Sequence, residues 1–134
     1  MSEWRRVALE YLPECKELID DSSIGSPMML WIEFDLYLDD LTQEAKLPVD
    51  TLRRLWEYCL WCLDSRNQDL QQAAVCAFCE HLIDNNRKLN ALPKFINGSE
   101  FRRVVDSLYY HNTEDRVENA LKLFPKHDHL HFKR

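Results

Sequence analysis

Apolar positions along the chain recur at helical spacing, and five prolines divide them into segments. Trp4, Val7, Ala8 and Tyr11 fall at i, i+3, i+4 and i+7, one face of a helix opening near Ser2. Pro13 interrupts that helix, because proline disfavours helical backbone in the residue before it. A short piece over 14–20 follows, then a polar loop from Asp21 to Pro27. A second long helix is predicted from Pro27 to about Ala45, closed by Leu47-Pro48. A third runs over 49–64, with Asp50 as a candidate cap. Asn67 has the chemistry of an N-cap and begins a fourth helix reaching about Asn86, where Asn85-Asn86-Arg87-Lys88 supplies the amides and cations of a helix end. After a connection through Pro93 and Gly98, Ser99 caps a helix to Tyr110. Asn112 or Thr113 caps another, to about Phe124. The reading is an all-α chain: one domain over 1–125, a bundle of about six helices, and a basic, histidine-containing tail over 126–134. The 67–86 helix is apolar nearly all round and is expected to be central. The 49–64 and 67–86 helices read as an antiparallel pair, which hints at helical-repeat-like packing.

Composition sharpens this picture in two places. Only two of the 134 residues are glycine, far below the usual ~7%, and strand-rich folds need glycine at their turns. Charge is uneven: residues 1–64 carry 14 acids and 6 bases, net −8, whereas 65–134 carry 9 acids and 11 bases, net +2. The acidic half argues against nucleic acid as a partner and for a basic protein surface. No apolar run approaches a membrane span, and Glu10, Glu14 and Glu17 follow the N-terminal arginines where a signal sequence would be apolar. A cytoplasmic protein is expected, with its odd number of cysteines reduced.

On a helical wheel the 27–45 segment places Leu30, Phe34, Tyr37, Leu38, Leu41 and Ala45 on one stripe, expected to be core. Met29, Ile32 and Leu36 lie opposite, rimmed by Glu33, Asp40 and Glu44 on one side and Asp35 and Asp39 on the other. Asp35 and Asp39 repel at i, i+4, and acids near a helix C-terminus oppose its dipole. These acids do not serve their own helix, so a role beyond it is expected. In the 49–64 segment Leu52, Leu55, Trp56, Cys59 and Leu63 face inward, while Trp61 points away among Asp50, Arg54, Glu57 and Asp64. An aromatic ringed by charge is a typical interface anchor. The candidate partner-binding set is therefore Trp61, Glu33, Asp35, Asp39, Asp40, Glu57, Met29, Ile32 and Leu36.

Two patterns carry candidate chemistry. Cys59-x-x-Cys62 and Cys76-x-x-Cys79 have nearly the spacing of a four-cysteine zinc site. Both pairs sit in uninterrupted helical pattern without the glycine turns of a zinc knuckle, so they are read as core thiols, with metal binding as the alternative. A redox reading wants the pair at a helix N-terminus, where neither lies. His127, His129 and His131 alternate in the tail and would suit a transition metal only if the tail were extended. His81 falls on the apolar stripe of its helix and is read as a hydrogen-bonded core histidine. Glu57 and Glu80 are expected to be paired, with Arg53, Arg54, Arg102 or Arg103. No nucleophile motif or phosphate loop is present, and neither enzymatic activity nor a cofactor is expected.

The stretches Trp31-Ile32-Glu33-Phe34-Asp35-Leu36-Tyr37, Leu55-Trp56-Glu57-Tyr58-Cys59-Leu60-Trp61 and Ala77-Phe78-Cys79-Glu80-His81-Leu82 together resemble a family of small, uncharacterised all-helical bacterial proteins. Members of that family are similar to immunity proteins of polymorphic toxin and contact-dependent inhibition systems. The resemblance covers about residues 27–110, and no catalytic residue comes with it. It implies a protein that neutralises a cognate toxin, for example a nuclease with a basic cleft, by protein–protein contact. A small metal-binding protein using the paired cysteines and a scaffold or adaptor subunit are the alternatives.

Overall fold

A computed structural model describes residues 1–124; the expectations for the tail, including His127, His129 and His131, fall outside the described residues. The described chain is all-helical. Its elements are α1 (Glu3–Tyr11), a 3-10 turn (Pro13–Cys15), α2 (Lys16–Ile19), α3 (Pro27–Leu41), α4 (Val49–Leu63), α5 (Gln68–Ala77), a 3-10 turn (Cys79–His81), α6 (Asn86–Phe95), α7 (Gly98–Val104), a 3-10 turn (Val105–Tyr110) and α8 (Glu114–Leu121). Eight α-helices thus replace the expected six, and the extra ones come from places where local signals pointed two ways.

Several predicted starts are present. Ser26 accepts a hydrogen bond from the Met29 N–H with Pro27 at the first helical position, and Asn67 accepts from Asp69 N–H. Thr113, not Asn112, caps α8. Asp50 does not cap α4; it lies in the first turn and pairs with Arg54. The 67–86 helix breaks at Phe78, whose backbone leaves helical geometry (φ −127°, ψ −61°). Asn85 then acts as a start signal, its side chain accepting from Lys88 N–H to open α6. Asn97 opens α7 through a capping box with Glu100, so the cap lies two residues before Ser99.

The centre also differs from expectation. α5 buries only Leu70, Ala73, Ala74 and Ala77, while Cys76 faces solvent. The central helix is α4, which packs against α1, α3, α5 and α6 and buries Leu52, Leu55, Trp56, Glu57, Tyr58, Cys59 and Cys62. Trp31 of α3, absent from the predicted core stripe, is fully buried. It stacks on Tyr58 at 5.3 Å and lies 4.8 Å from the Phe78 ring. This aromatic cluster joins α3, α4 and the turn after α5, and gives Phe78 a buried seat at the helix break. Ala45, expected in the core, lies exposed beyond the end of α3.

Polar ties fix the joints. Arg54 donates to Tyr11 O (2.9 Å) and to both Glu14 carboxylate oxygens (2.6 Å each), pinning α4 to the end of α1. Tyr58 donates to Trp4 O at 2.9 Å, and Arg5 donates to Ile19 O and Ile24 O. Arg53 holds Glu100 through two hydrogen bonds of 2.7 and 2.9 Å and donates to Phe95 O, clamping α4 to α6 and α7.

Candidate functional site

The outer face of α3 is open. Met28, Met29, Ile32 and Leu36 are 37, 42, 49 and 57% exposed, while Leu30, Trp31, Phe34 and Leu38 are fully buried on the other side. Met28, Ile32 and Leu36 follow at i, i+4 and i+8 and form one ridge along the helix. The ridge borders a cleft of about 310 Å³ between α3 and the α5 end, lined by Met28, Ile32, Asp35, Leu36, Cys76, Ala77 and His81. Met28, Cys76 and His81 belong to this surface although the sequence pattern did not select them. Met28 sits one position before the predicted strip, and the break at Phe78 turns His81 toward the α3 side.

His81 is partly exposed rather than sealed in the core. Its Nδ1 lies 2.7 Å from Asp84, and its ring stacks on His111 at 4.8 Å. His111 in turn sits 2.9 Å from Glu80, so the partner of Glu80 is a histidine and not one of the arginines expected.

The acids around the strip divide into two groups. Asp35 and Asp39 are engaged within the fold. Asp35 accepts from Lys88 of α6 at 2.9 Å, and that lysine is itself only 4% exposed. Burial pushes the Asp35 carboxyl above its ordinary value, and Lys88 opposes the shift without cancelling it. Asp39 accepts from Asn85 (3.0 Å) and Arg87 (2.9 Å). Burial raises its carboxyl slightly, and these two donors more than offset that, leaving it below the ordinary value. The acids that do not serve their own helix therefore pin α3 to the start of α6. Glu33 is half-buried, and Asp40 and Glu44 are exposed.

Glu57 and Trp61 do not join this surface. Glu57 is buried, 3.6 Å from Arg53, in the α4–α7 joint, so it is no part of an exposed charged surround. It lies on the inward side of α4 because that helix is covered by neighbours around most of its girth. Trp61 is half-buried and stacks on Tyr58 (5.9 Å, 11°). It opens onto a different cleft, of about 590 Å³, lined by Glu3, Arg6, Val7, Glu10, Tyr11 and Trp61. The predicted single surface over two helices is thus two surfaces: an apolar ridge on α3 and an aromatic, charged cleft between α1 and α4.

The four paired cysteines do not form a common site. Cys59, Cys62 and Cys79 are buried, with Cys59 and Cys79 sulfurs 3.6 Å apart, whereas Cys76 is exposed. Among the described residues no group of three or more histidine, cysteine, aspartate or glutamate side chains is arranged to hold a metal ion. Burial drives the Cys59 and Cys62 thiols away from the thiolate form; Cys62 is pushed up to about 12, and Cys59 is raised well above its ordinary value. Thiolate is the metal-binding and nucleophilic species, so these sulfurs are set as packing groups. No helix among the described residues is long and apolar enough to cross a membrane. No family model, curated protein or solved structure matches the chain.

Proposed function

We propose that the chain works by binding a basic protein through the outer face of α3, as an immunity protein that blocks a toxin domain does. The observation that carries the reading is the exposed ridge Met28, Met29, Ile32 and Leu36 on a helix whose other face is fully packed. Leaving such side chains in water gains nothing for the fold, and burying each against a partner contributes roughly 1–2 kcal/mol. Glu33 and Asp40, on α3 beside the ridge, in a half-chain of net −8, favour a cationic partner over a second copy of this chain. Self-association through the ridge would set those acids against each other.

A nuclease-type toxin has a basic cleft, so an acidic partner speeds encounter by electrostatic steering and excludes substrate by occupying the cleft. The test is co-expression with a candidate toxin domain, taken first from the product of the neighbouring gene. Protection of growth is expected, and its loss on Leu36→Asp with the fold intact. Association should slow as salt rises from low to physiological, because charges are screened over about 8 Å there. Failure of the chain to protect, together with failure to bind that domain, would overturn the reading.

A further inference from the structure

The cleft between α1 and α4 has a composition that the α3 ridge lacks. It is lined by two aromatic residues, Tyr11 and Trp61, by the charged residues Glu3, Arg6 and Glu10, and by buried Val7. Glu3, Arg6 and Glu10 share one face of α1, since their spacings are three and four residues. The Arg6 guanidinium lies 2.8 Å from Glu10 and 3.9 Å from Glu3, and all three side chains are more than half exposed. Such exposed pairs hold weakly and exchange readily with other cations. The aromatic residues are by contrast fixed. Trp61 stacks on Tyr58, whose hydroxyl is tied to Trp4 O, and the Tyr11 backbone is held by Arg54.

We infer that this cleft is a receptor for an arginine side chain of a partner protein, with the guanidinium against the Trp61 indole and Glu3 and Glu10 as its counter-charges. The inference rests on the preceding reading only for the partner's being basic. A planar guanidinium suits the place for two reasons: it stacks on an indole and bonds carboxylates in a fork, which a lysine ammonium does less well. Arg6 already shows that the carboxylates accept a guanidinium, and it is the internal competitor that an incoming arginine displaces. The two glutamates and Arg6 leave the cleft with a net charge that still favours a cation.

The experiment is a titration of the isolated chain with Nα-acetyl-arginine amide, read on the Trp61 indole N–H by NMR, against sodium chloride of equal ionic strength. A saturable shift is expected, with a dissociation constant on the order of millimolar for so small a probe. Arg6→Ala should tighten binding about fivefold, roughly the factor one nearby unit charge is worth in water, and Glu10→Gln should weaken it by a similar factor. Both positions are exposed, so melting curves of the variants should match the parent. A shift no larger than that from sodium chloride, or one unchanged by both substitutions, would overturn the inference. The probe is a single amino acid, so failure here leaves the α3 reading standing, and failure of growth protection leaves this one standing.

Discussion

Replacing Arg53 with leucine removes a cation shared by two carboxylates that are almost sealed from water. Arg53, Glu57 and Glu100 side chains are 11, 5 and 14% exposed, and Arg53 gives Glu100 two charge-assisted hydrogen bonds. Glu100 also accepts from Trp56 Nε1 and from the Asn97 N–H in the α7 capping box. Breaking a buried pair from one side costs ~3–5 kcal/mol, because the remaining charge keeps its desolvation penalty. Arg53→Leu should therefore lose about 3–4 kcal/mol, a fall of roughly 12–16 °C in melting temperature for a domain of this size. The pH dependence gives a second sign. In the parent, burial raises the Glu100 carboxyl, and the bonds from Arg53, the Asn97 backbone and Trp56 outweigh it, leaving it below the ordinary value of 4.5. A depressed carboxylate contributes stability that is present above its unfolded value and is lost as pH falls through the folded one. From pH 7 to pH 5 this site should thus leave the parent's stability flat. In the variant, burial acts on Glu100 without the cation and raises its carboxyl, so the folded state takes up a proton first and stability should increase over the same interval. Urea denaturation of both proteins at pH 7 and pH 5 measures this. Glu100→Gln, which leaves Arg53 beside Glu57, should cost less, and the double variant should recover ~1–3 kcal/mol relative to additivity. A loss below 1 kcal/mol in Arg53→Leu, or an unchanged pH slope, would refute the shared-cation account.

Three further outcomes follow from the same geometry. Trp61→Ala should lower stability by about 2 kcal/mol in thermal melts, roughly half the cost of deleting a fully buried tryptophan, since the ring is half-buried on Tyr58; a change within 0.5 kcal/mol would mean the stack adds nothing. Asn85→Ala should cost ~1–2 kcal/mol, because Asn85 caps α6 and also donates to Asp39; an unaffected melting curve would remove that double role. Of the five cysteines only Cys76 is exposed, so a thiol reagent should label one thiol quickly in the native protein and the others on unfolding; rapid native labelling of two or more would contradict the packing of Cys59, Cys62 and Cys79.

The helical class was legible in the sequence because it depends on local quantities. Apolar spacing, scarce glycine, the prolines and the caps Asn67 and Thr113 each act within a turn of backbone, and they placed α1, α3, α4, α8 and the start of α5 to within a few residues. The outer ridge of α3 was legible for the same reason, since Met29, Ile32 and Leu36 oppose the core stripe by helical geometry alone. What periodicity could not supply was the count of neighbours around each helix. Both the 49–64 and 67–86 segments are rich in apolar residues, and only the packing of α1, α3, α5 and α6 around α4 decides that Glu57 is buried and Cys76 is not. The break at Phe78 is likewise tertiary. Aromatic contact with Trp31 acts against a continuous helical pattern at Phe78, after which the local cap at Asn85 opens α6. Asp35 and Asp39 make the same point in charge. Along their own helix they only repel, and their partners Lys88 and Arg87 stand about fifty residues away, a distance that only the fold closes.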